Sequence, residues 1–182
     1  FLSDNGGATN NGSDNGSWRG MKGSKWEGGQ RVPFVVDWPG VFEAGEYSSA
    51  ISSLDLLPTA LSAADAEVPA GLDGVDLRPF LSGADKSAPH ERLYWRRFVA
   101  GAVREGDWKL IRVREEDDSL RAPILVNLAD DPGEEVNRAG DEPLRTERMT
   151  ADLEAWEAGL SEPRWQEGAV WEKNQRKKHE MG

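Results

Sequence analysis

The sequence predicts a mixed α/β protein in which strands and a helix precede a small antiparallel sheet packed against a second helix. Three observations carry this prediction. Apolar runs alternate with a helical pattern before residue 91, and short strand patterns follow one another between residues 93 and 128. An apolar stripe at helical spacing then runs from Leu144 to Leu160. Strands joined at such short range pair as an antiparallel meander.

Composition limits the function classes. The chain has 182 residues, 37% of them hydrophobic, which suffices for a domain or a domain and a half. A formal net charge of −11 and a pI near 4.7 disfavour nucleic acid or an anionic membrane surface as a partner. A local basic pocket for a small anionic ligand remains compatible with this charge. The chain has no cysteine, which excludes disulfides and thiol chemistry within it.

The opening stretch carries the candidate site. Phe1 and Leu2 have the pattern of a buried strand that ends at a sheet edge, where Asp4 and Asn5 follow. Carboxylate and amide oxygens are ligands that calcium prefers, so this pair is predicted to form half of a metal site. Lys22 lies between glycines that leave room for a ligand, and its point charge suits an anionic group.

The same residues also allow an ordinary turn, because Asp-Asn-Gly is common turn chemistry. The chain repeats the tetrapeptide as Ser13-Asp14-Asn15-Gly16 inside the polar loop. Only the first copy follows apolar strand residues. This difference favours the first copy as the site and the second as a loop turn.

After this stretch, the apolar run over residues 31–38 ends at Pro39-Gly40 and predicts a strand covered on both faces. Glu27 and Arg31 are four residues apart and are predicted to form a structural ion pair.

A helix is then predicted to start near Ser53 or Asp55, which can cap it, and to end near Ala66. Residues 67–91 form a long connection with one helical turn near residues 77–81. The apolar face of the helix, predicted to be core, consists of Leu54, Leu57 and Leu61.

The second part begins near Arg92. Its predicted strands cover residues 93–98, 102–104, 108–113 and 124–128. The helix that should lie on this sheet has an apolar stripe formed by Leu144, Met149, Leu153, Trp156 and Leu160. The tail from Ser161 includes a basic run at residues 176–179, for which a solvated, frayed terminus is predicted in preference to a grip on an anionic polymer.

Taken together, these motifs resemble the sulfatase family within the alkaline-phosphatase-like superfamily. The similarity covers most of the chain and fades after about Leu160. Ordered matches are more specific than any single motif. They are Ser3-Asp4-Asn5-Gly6-Gly7, Arg19-Gly20-Met21-Lys22, Trp26-Glu27-Gly28-Gly29-Gln30-Arg31-Val32-Pro33, Trp38-Pro39-Gly40, Asp55-Leu56-Leu57-Pro58-Thr59 and Leu72-Asp73-Gly74-Val75, with weaker matches at Gly106-Asp107-Trp108-Lys109-Leu110 and Asp130-Asp131-Pro132-Gly133-Glu134.

The resemblance implies the C-terminal part of an alkaline-phosphatase-like α/β sandwich over residues 1–90, a small sheet with a helix over 91–160, and a tail over 161–182. It implies hydrolysis of a sulfate monoester of a carbohydrate or aryl group, with Ca²⁺ and formylglycine. Asp4 and Asn5 resemble the downstream pair of calcium ligands. Lys22 resembles the lysine that contacts the sulfate, and Lys25 is the competing lysine.

Asn5 helps to choose among relatives. Histidine at this position would suit zinc or manganese, so the amide favours a one-calcium sulfatase of the arylsulfatase or N-acetylgalactosamine-sulfatase type. The alternatives are a phosphodiesterase or phosphonate hydrolase of the same superfamily and a non-catalytic carbohydrate-binding remnant. The expected partner is a sulfated small molecule or glycan, and the family is commonly exported to the periplasm or outside the cell.

The chain also departs from the family pattern. It has neither a cysteine nor Ser-x-Pro-x-Arg, the motifs from which formylglycine is made. The resemblance therefore places the nucleophile upstream of Phe1, in a longer protein of which this is a C-terminal fragment. His90 and His179 have no counterpart among the family's catalytic histidines, and both are predicted to lie at the surface.

Overall fold

The computed structural model describes residues 1–165 and 168–181 of the chain. Internal contacts divide the chain into two units that do not follow its linear order. Phe1 and Phe34–Leu93 form what we call the helical unit, and Leu2–Pro33 with Tyr94–Gly182 form the sheet unit. The predicted division at residues 1–90, 91–160 and 161–182 stays a prediction.

The regular elements are short, except for two helices toward the C-terminal end. The helices are α1 (Glu27–Gln30), α2 (Leu56–Ala63), α3 (Arg78–Leu81), α4 (Pro143–Ala158) and α5 (Ala169–Lys178). The strands are β1 (Arg92–Arg97), β2 (Ala100–Glu105), β3 (Trp108–Val113) and β4 (Ile124–Asn127). Single 3₁₀ turns cover Thr9–Asn11 and Ser53–Asp55. Within the two described ranges, no helix combines the length and the apolar character needed to span a bilayer.

In the helical unit, the 3₁₀ turn that leads into α2 begins with a capping box. The Ser52 hydroxyl accepts a hydrogen bond from Leu54 N (3.2 Å), and the Asp55 carboxylate accepts one from Ser52 N (2.7 Å). These bonds satisfy N–H groups that no helical carbonyl reaches. The cap predicted at Ser53 or Asp55 is therefore at Ser52, with Asp55 in the reciprocal role.

Asp55 is also the centre of a buried polar contact that sequence reasoning missed. His90 Nε2 lies 2.9 Å from both carboxylate oxygens of Asp55, and Val75 N donates to the same carboxylate (2.9 Å). Asp55 is fully buried, and 9% of the His90 side chain is exposed. The prediction that His90 lies at the surface is wrong. Its ring contacts the start of α2 and holds the connection that follows this helix against it.

The predicted apolar stripe of α2 is not its buried face. Leu54 and Leu57 are 58% and 52% exposed. Pro58 is buried instead, and the Thr59 hydroxyl accepts a hydrogen bond from Leu77 N (2.9 Å). The buried side of the helix thus contacts the following connection, whereas Leu54 and Leu57 remain exposed.

The predicted strand over residues 31–38 is reduced to one short pairing. Phe1 and Val35 exchange two backbone hydrogen bonds, of 2.7 and 2.8 Å, as an antiparallel pair does. Pro33 has no N–H to extend a ladder. Val35 is 59% and Phe1 84% exposed, so the expected coverage of both faces is not present in the described structure.

The sheet unit contains the predicted meander. Its strands lie in the order β1-β2-β3-β4, and the antiparallel registers place Ala102 opposite Ile111 and Ile111 opposite Ile124. Alternate residues point to opposite faces of the sheet. One face packs against α4 through Val103, Leu110, Leu125, Met149 and Leu153. The other packs against the side chain of Trp26 through Ala102, Ile111, Val113 and Val126.

Helix α4 confirms the predicted helix on the sheet. Met149 and Leu153 are fully buried, and the Trp156 ring stacks on Tyr94 with 5.1 Å between ring centroids. Leu144 was predicted to belong to the same stripe, but it lies in the first turn and is exposed. The apolar contact is therefore made by the middle and the end of the helix.

The basic tail is folded where a frayed terminus was predicted. Residues Ala169–Lys178 form α5, which buries Gln175. The guanidinium of Arg176 donates to Arg114 O (2.9 Å), and Lys178 Nζ donates to Lys22 O (2.8 Å). Side chains of the basic run thus donate hydrogen bonds to backbone carbonyl groups of the sheet unit.

Candidate functional site

The turn that carries Asp4 and Asn5 is anchored on α1. Gly6 N donates to Gly29 O (3.2 Å), and the Ser3 hydroxyl donates to Asn5 O (3.0 Å). A β-carbon on Gly6 would lie 1.8 Å from a backbone oxygen of α1, so the close approach requires glycine. The Asp-Asn pair is therefore held at a fixed place beside the Trp-Glu-Gly-Gly motif.

The second copy of the Ser-Asp-Asn-Gly motif is hydrogen-bonded both to the first copy and to the loop that carries Lys22. The Asn15 amide accepts a hydrogen bond from Gly7 N (2.8 Å) and donates to Gly7 O (3.1 Å) and Gly20 O (3.0 Å). Gly7 O also accepts from Lys22 N (3.0 Å). Among the described residues, the Asp14 side chain caps its own turn by accepting a hydrogen bond from Gly16 N (2.8 Å). In the sequence, the repetition of the motif was the feature that could have indicated this role of Asn15.

The structure thus brings the three predicted site residues onto adjoining backbone segments. The side chains of Asp4 and Lys22 are exposed, and that of Asn5 is partly buried. Across residues 1–165 and 168–181, no hydrogen bond or ion pair engages any of these three side chains. The same ranges contain no group of three or more His, Asp or Glu placed to hold a metal ion. The roles of the three residues stay predictions.

Behind this loop lies a buried ion network that sequence reasoning did not find. Lys109 Nζ lies 2.8 Å from a Glu27 carboxylate oxygen and 2.9 Å from a Glu134 oxygen. Glu134 also accepts a hydrogen bond from Glu27 N (2.6 Å), and Arg104 Nη1 lies 3.4 Å from Glu27. A lysine within the apolar strand 108–113 was the signal in the sequence, because a buried ammonium requires a partner.

The two carboxylates of this network differ in their acidity. Burial by itself raises the pKa of Glu27, but the charges of Lys109 and Arg104 outweigh it and hold that pKa below its ordinary value. Burial raises the pKa of Glu134 above its ordinary value, in spite of Lys109 and the hydrogen bond from Glu27 N. Arg104 and Arg31 both help to lower the pKa of Glu27, whereas the negative charge of Glu27 raises the pKa of Glu134.

The predicted ion pair between Glu27 and Arg31 is replaced by other contacts. Glu27 binds the sheet through Lys109, and the Arg31 guanidinium lies 4.3 Å from the ring centre of Trp18. Glu27 is therefore structural, as predicted, but its partners are distant in sequence.

Lys25, the competing lysine, differs from Lys22 in its surroundings. It is 3% exposed, and its backbone N donates to His179 Nε2 (2.8 Å). Burial lowers its pKa to about 8, and the positive charges of Arg97, Lys109 and Lys178 act in the same direction. Lys25 is thus buried, and its ammonium loses a proton more easily than usual. Lys22, in contrast, presents its charge at the surface.

His179 is fully buried, so its prediction as a surface residue is wrong. Its Nε2 accepts from Lys25 N, and its Nδ1 lies 2.7 Å from Gln175 O. The neutral ring with its proton on Nδ1 satisfies both contacts. Burial lowers the pKa of His179 to about 4; the charges of Lys25 and Arg121 add to this, and the bond to Gln175 O opposes it.

Acid should destabilise the protein through His179. The pKa of about 4 in the folded protein lies below the ordinary histidine pKa of 6.5. As the pH falls from about 7 to about 5, the unfolded chain binds a proton that the folded chain does not, which removes roughly 2 kcal/mol of stability. Urea unfolding at both pH values should show a larger loss for the unmodified protein than for His179→Gln. Equal losses would contradict this role.

Comparison with known proteins agrees with the motifs. The chain matches the family model described as N-sulphoglucosamine sulphohydrolase, C-terminal, over residues 21–157. It is 36% identical to arylsulfatase A of Bos taurus over 163 residues, which cover 75% of the chain and 32% of that protein. The chain spans about a third or less of the length of the curated relatives it matches.

Solved structures support the same assignment. The crystal structure of Ps i-CgsB superposes with a TM-score of 0.80 at 29% identity, over 98% of this chain and 40% of that one. The structure of BT4656 in complex with its substrate D-glucosamine-2-N,6-O-disulfate has a TM-score of 0.60 at 26% identity, over 72% of this chain and 29% of that one. The predicted α/β fold class, with a small antiparallel sheet and helix, is confirmed. Since the family model matches well over half of the chain, this protein belongs to the sulfatase family, and these residues correspond to the C-terminal part.

Proposed function

We propose that the protein containing this chain is a sulfuric ester hydrolase that acts on a sulfated carbohydrate or an aryl sulfate. The observation that carries the proposal is the adjacency of segments 3–7 and 20–22, which hold the two charged family motifs on one clamped loop. Membership of the sulfatase family supports it. So do two structural neighbours, one determined with k-i-k-neocarrahexaose and one with D-glucosamine-2-N,6-O-disulfate.

In this proposal Lys22 supplies positive charge to the sulfate oxygens. Its ammonium is exposed, and its backbone is fixed by the bond to Gly7 O. Gly20 and Gly23 on either side have φ values of +82° and +84°, a conformation that glycine adopts without strain. A preorganised charge beside the reacting group stabilises the negative charge that develops during ester cleavage.

Asp4 and Asn5 are proposed as two ligands of a calcium ion. Their side chains offer hard oxygen donors with no competing partner in the described residues, which fits Ca²⁺. Calcium takes about six to eight oxygen ligands, so further ligands must come from elsewhere in the protein. When bound, the ion would neutralise charge on the sulfate oxygens. The formylglycine nucleophile of the family is likewise proposed to come from residues outside this chain, which has no cysteine.

The repeated tetrapeptide supplies a matched control for the metal site. Asp4→Asn in the complete protein should weaken calcium binding by about tenfold or more, because it removes a charged ligand. Asp14→Asn changes the same residue type in the same motif, but the Asp14 side chain caps the turn at Gly16. Calorimetric titration with CaCl₂ and turnover of 4-nitrophenyl sulfate should separate the two variants. Equal calcium affinities would reject Asp4 as a ligand.

A further inference from the structure

Arg31 and Trp18 form a stacked pair beside the turn that carries Asp4 and Asn5. The Arg31 guanidinium lies 4.3 Å from the centre of the Trp18 ring. The side chain of Arg31 is exposed, and that of Trp18 is partly buried. The face of an indole ring carries negative potential, which attracts a cation placed over it. The ring therefore holds the guanidinium in a defined place at the surface.

Backbone hydrogen bonds anchor both members of the pair. Trp18 N donates to Asn15 O (3.1 Å), so the ring belongs to the loop that the Asn15 amide ties to the lysine segment. Arg31 N donates to Glu27 O (2.7 Å), the bond that caps the C-terminal end of α1. The stacked geometry is thus supported from both sides by the folded sheet unit.

The backbone also places Arg31 opposite the proposed metal ligands. Two hydrogen bonds of 3.2 Å join segment 3–6 to segment 29–33, one at each end. The proposed ligands lie between these bonds on the first segment, and Arg31 lies between them on the second. An arginine readily pairs with a neighbouring carboxylate. Among residues 1–165 and 168–181, however, no hydrogen bond or ion pair joins the Arg31 guanidinium to Asp4 or to another carboxylate.

Stacking occupies a face of the guanidinium and leaves its edge available. All of its N–H donors lie in the plane of the group. A neighbouring pair of them can bind two oxygens of a carboxylate or a sulfate side by side, and such bidentate bonds are strong and geometrically specific. The charge of Arg31 does act on Glu27, but the oxygens of Glu27 bind Lys109 and Arg104. In the described part of the chain, the donor edge of Arg31 is therefore open to a ligand.

We propose that Arg31, held by Trp18, is a specificity-determining residue that binds an oxyanion group of the substrate other than the sulfate that is cleaved. The group is a carboxylate or a second sulfate, because both present paired oxygens to the planar donor edge. Lys22 lies close by, since its N donates to Gly7 O (3.0 Å) at the end of the same turn. The assignment to the substrate rests on the proposed sulfatase function, whereas binding of an oxyanion at Arg31 does not.

Kinetics with matched disaccharides test this selection in the complete protein. All of them carry the same sulfate ester; one is otherwise neutral, one adds a uronate carboxylate, and one adds a second sulfate. Arg31→Gln should raise KM for the preferred anionic disaccharide by about tenfold or more and change kcat much less, since a bidentate contact with an ion is lost. KM for the neutral disaccharide and for 4-nitrophenyl sulfate should change by less than about twofold. The anionic disaccharide that is affected identifies the group as carboxylate or sulfate.

Two further variants separate charge from geometry. Arg31→Lys keeps the charge but not the planar donors, so it should recover only part of the loss. Arg164→Gln is the matched control, because Arg164 is an exposed arginine with no hydrogen bond or ion pair to another described residue. It should leave every KM unchanged. Equal KM values for the anionic disaccharides in Arg31→Gln and Arg164→Gln would overturn the inference.

Trp18 tests the stacking with Arg31 intact. Trp18→Leu removes the aromatic face and should raise KM for the preferred anionic disaccharide severalfold, whereas Trp18→Phe keeps an aromatic face and should restore most of the affinity. A purely structural role of the ring would change KM for the neutral and the anionic disaccharide by the same factor, and that outcome would contradict the proposed role of the pair.

Nuclear magnetic resonance separates this inference from the proposed function. The Nε–H signal of Arg31, assigned by its absence in Arg31→Gln, should shift when sodium glucuronate or sodium sulfate is added at millimolar concentrations. The signal of Arg164 should shift much less. If Arg31 responds in this way but the protein hydrolyses no sulfate ester, the proposed function fails and the anion-binding residue stands. If sulfate esters are hydrolysed but the two signals respond equally, the inference fails alone.

Discussion

Replacing Lys109 with Met is expected to destabilise the protein by about 3–5 kcal/mol, the largest effect on stability that this structure predicts. Lys109 is fully buried and is shared by the carboxylates of Glu27 and Glu134. Without the ammonium, two buried carboxylates would face each other with Arg104 as the nearest cation. Removing one member of a buried ion network leaves charge that neither water nor a partner compensates.

Thermal unfolding measures this effect. A loss of this size should lower the melting temperature by about 6–20 °C for a chain of this length. Lys86→Met removes an exposed lysine and should have almost no effect. Adding Glu134→Gln to Lys109→Met should recover part of the loss, since it removes one uncompensated charge. If Lys109→Met melts within about 1 °C of the Lys86→Met control, the network does not stabilise the fold.

Replacing Lys22 with Ala is expected to lower kcat for sulfate ester hydrolysis by about 10²–10³, as the loss of one preorganised charge at a reacting centre does. The fold should be unaffected, because the side chain is exposed and makes no hydrogen bond or ion pair in the described part of the chain. The measurement is turnover of 4-nitrophenyl sulfate by the complete protein, with a thermal melt to verify folding.

Two comparisons sharpen the test of Lys22. Lys177→Ala, another exposed lysine of the sheet unit, should retain full turnover. Lys22→Arg keeps the charge but not the compact ammonium, so partial activity is expected. Normal turnover in Lys22→Ala would exclude Lys22 from the catalytic centre, and Lys25 would then be the lysine to test.

The ion network also explains why three motifs of the chain occur together. Trp-Glu-Gly-Gly contributes Glu27, Gly-Asp-Trp-Lys contributes Lys109, and Asp-Pro-Gly-Glu contributes Glu134. Their charged residues meet under the loop that carries Lys22. The sheet therefore holds the loop through buried charge as well as through the side chain of Trp26, which packs on the strands.

The local sequence pattern was sufficient to predict those elements whose structure depends mainly on a short segment of the chain. The strands of the meander were predictable because each apolar run ends in turn residues, and the alternation of apolar side chains specifies two buried faces. Helix α4 was predictable because Met149 and Leu153 repeat at helical spacing above that sheet. The ordered motifs identified the family, since several matches in sequence are far more specific than one.

Only the tertiary structure decided where the polar residues lie. Lys25 and His179 are 154 positions apart, and Lys109 and Glu27 are 82 apart, so neither contact leaves a local signal. Leu57 and Val35 were predicted to be buried from their apolar character, yet both are exposed. Spacing specifies which residues share a face, but burial depends on what packs against that face. For charged and histidine side chains, the partner across the fold determines whether burial is tolerated at all.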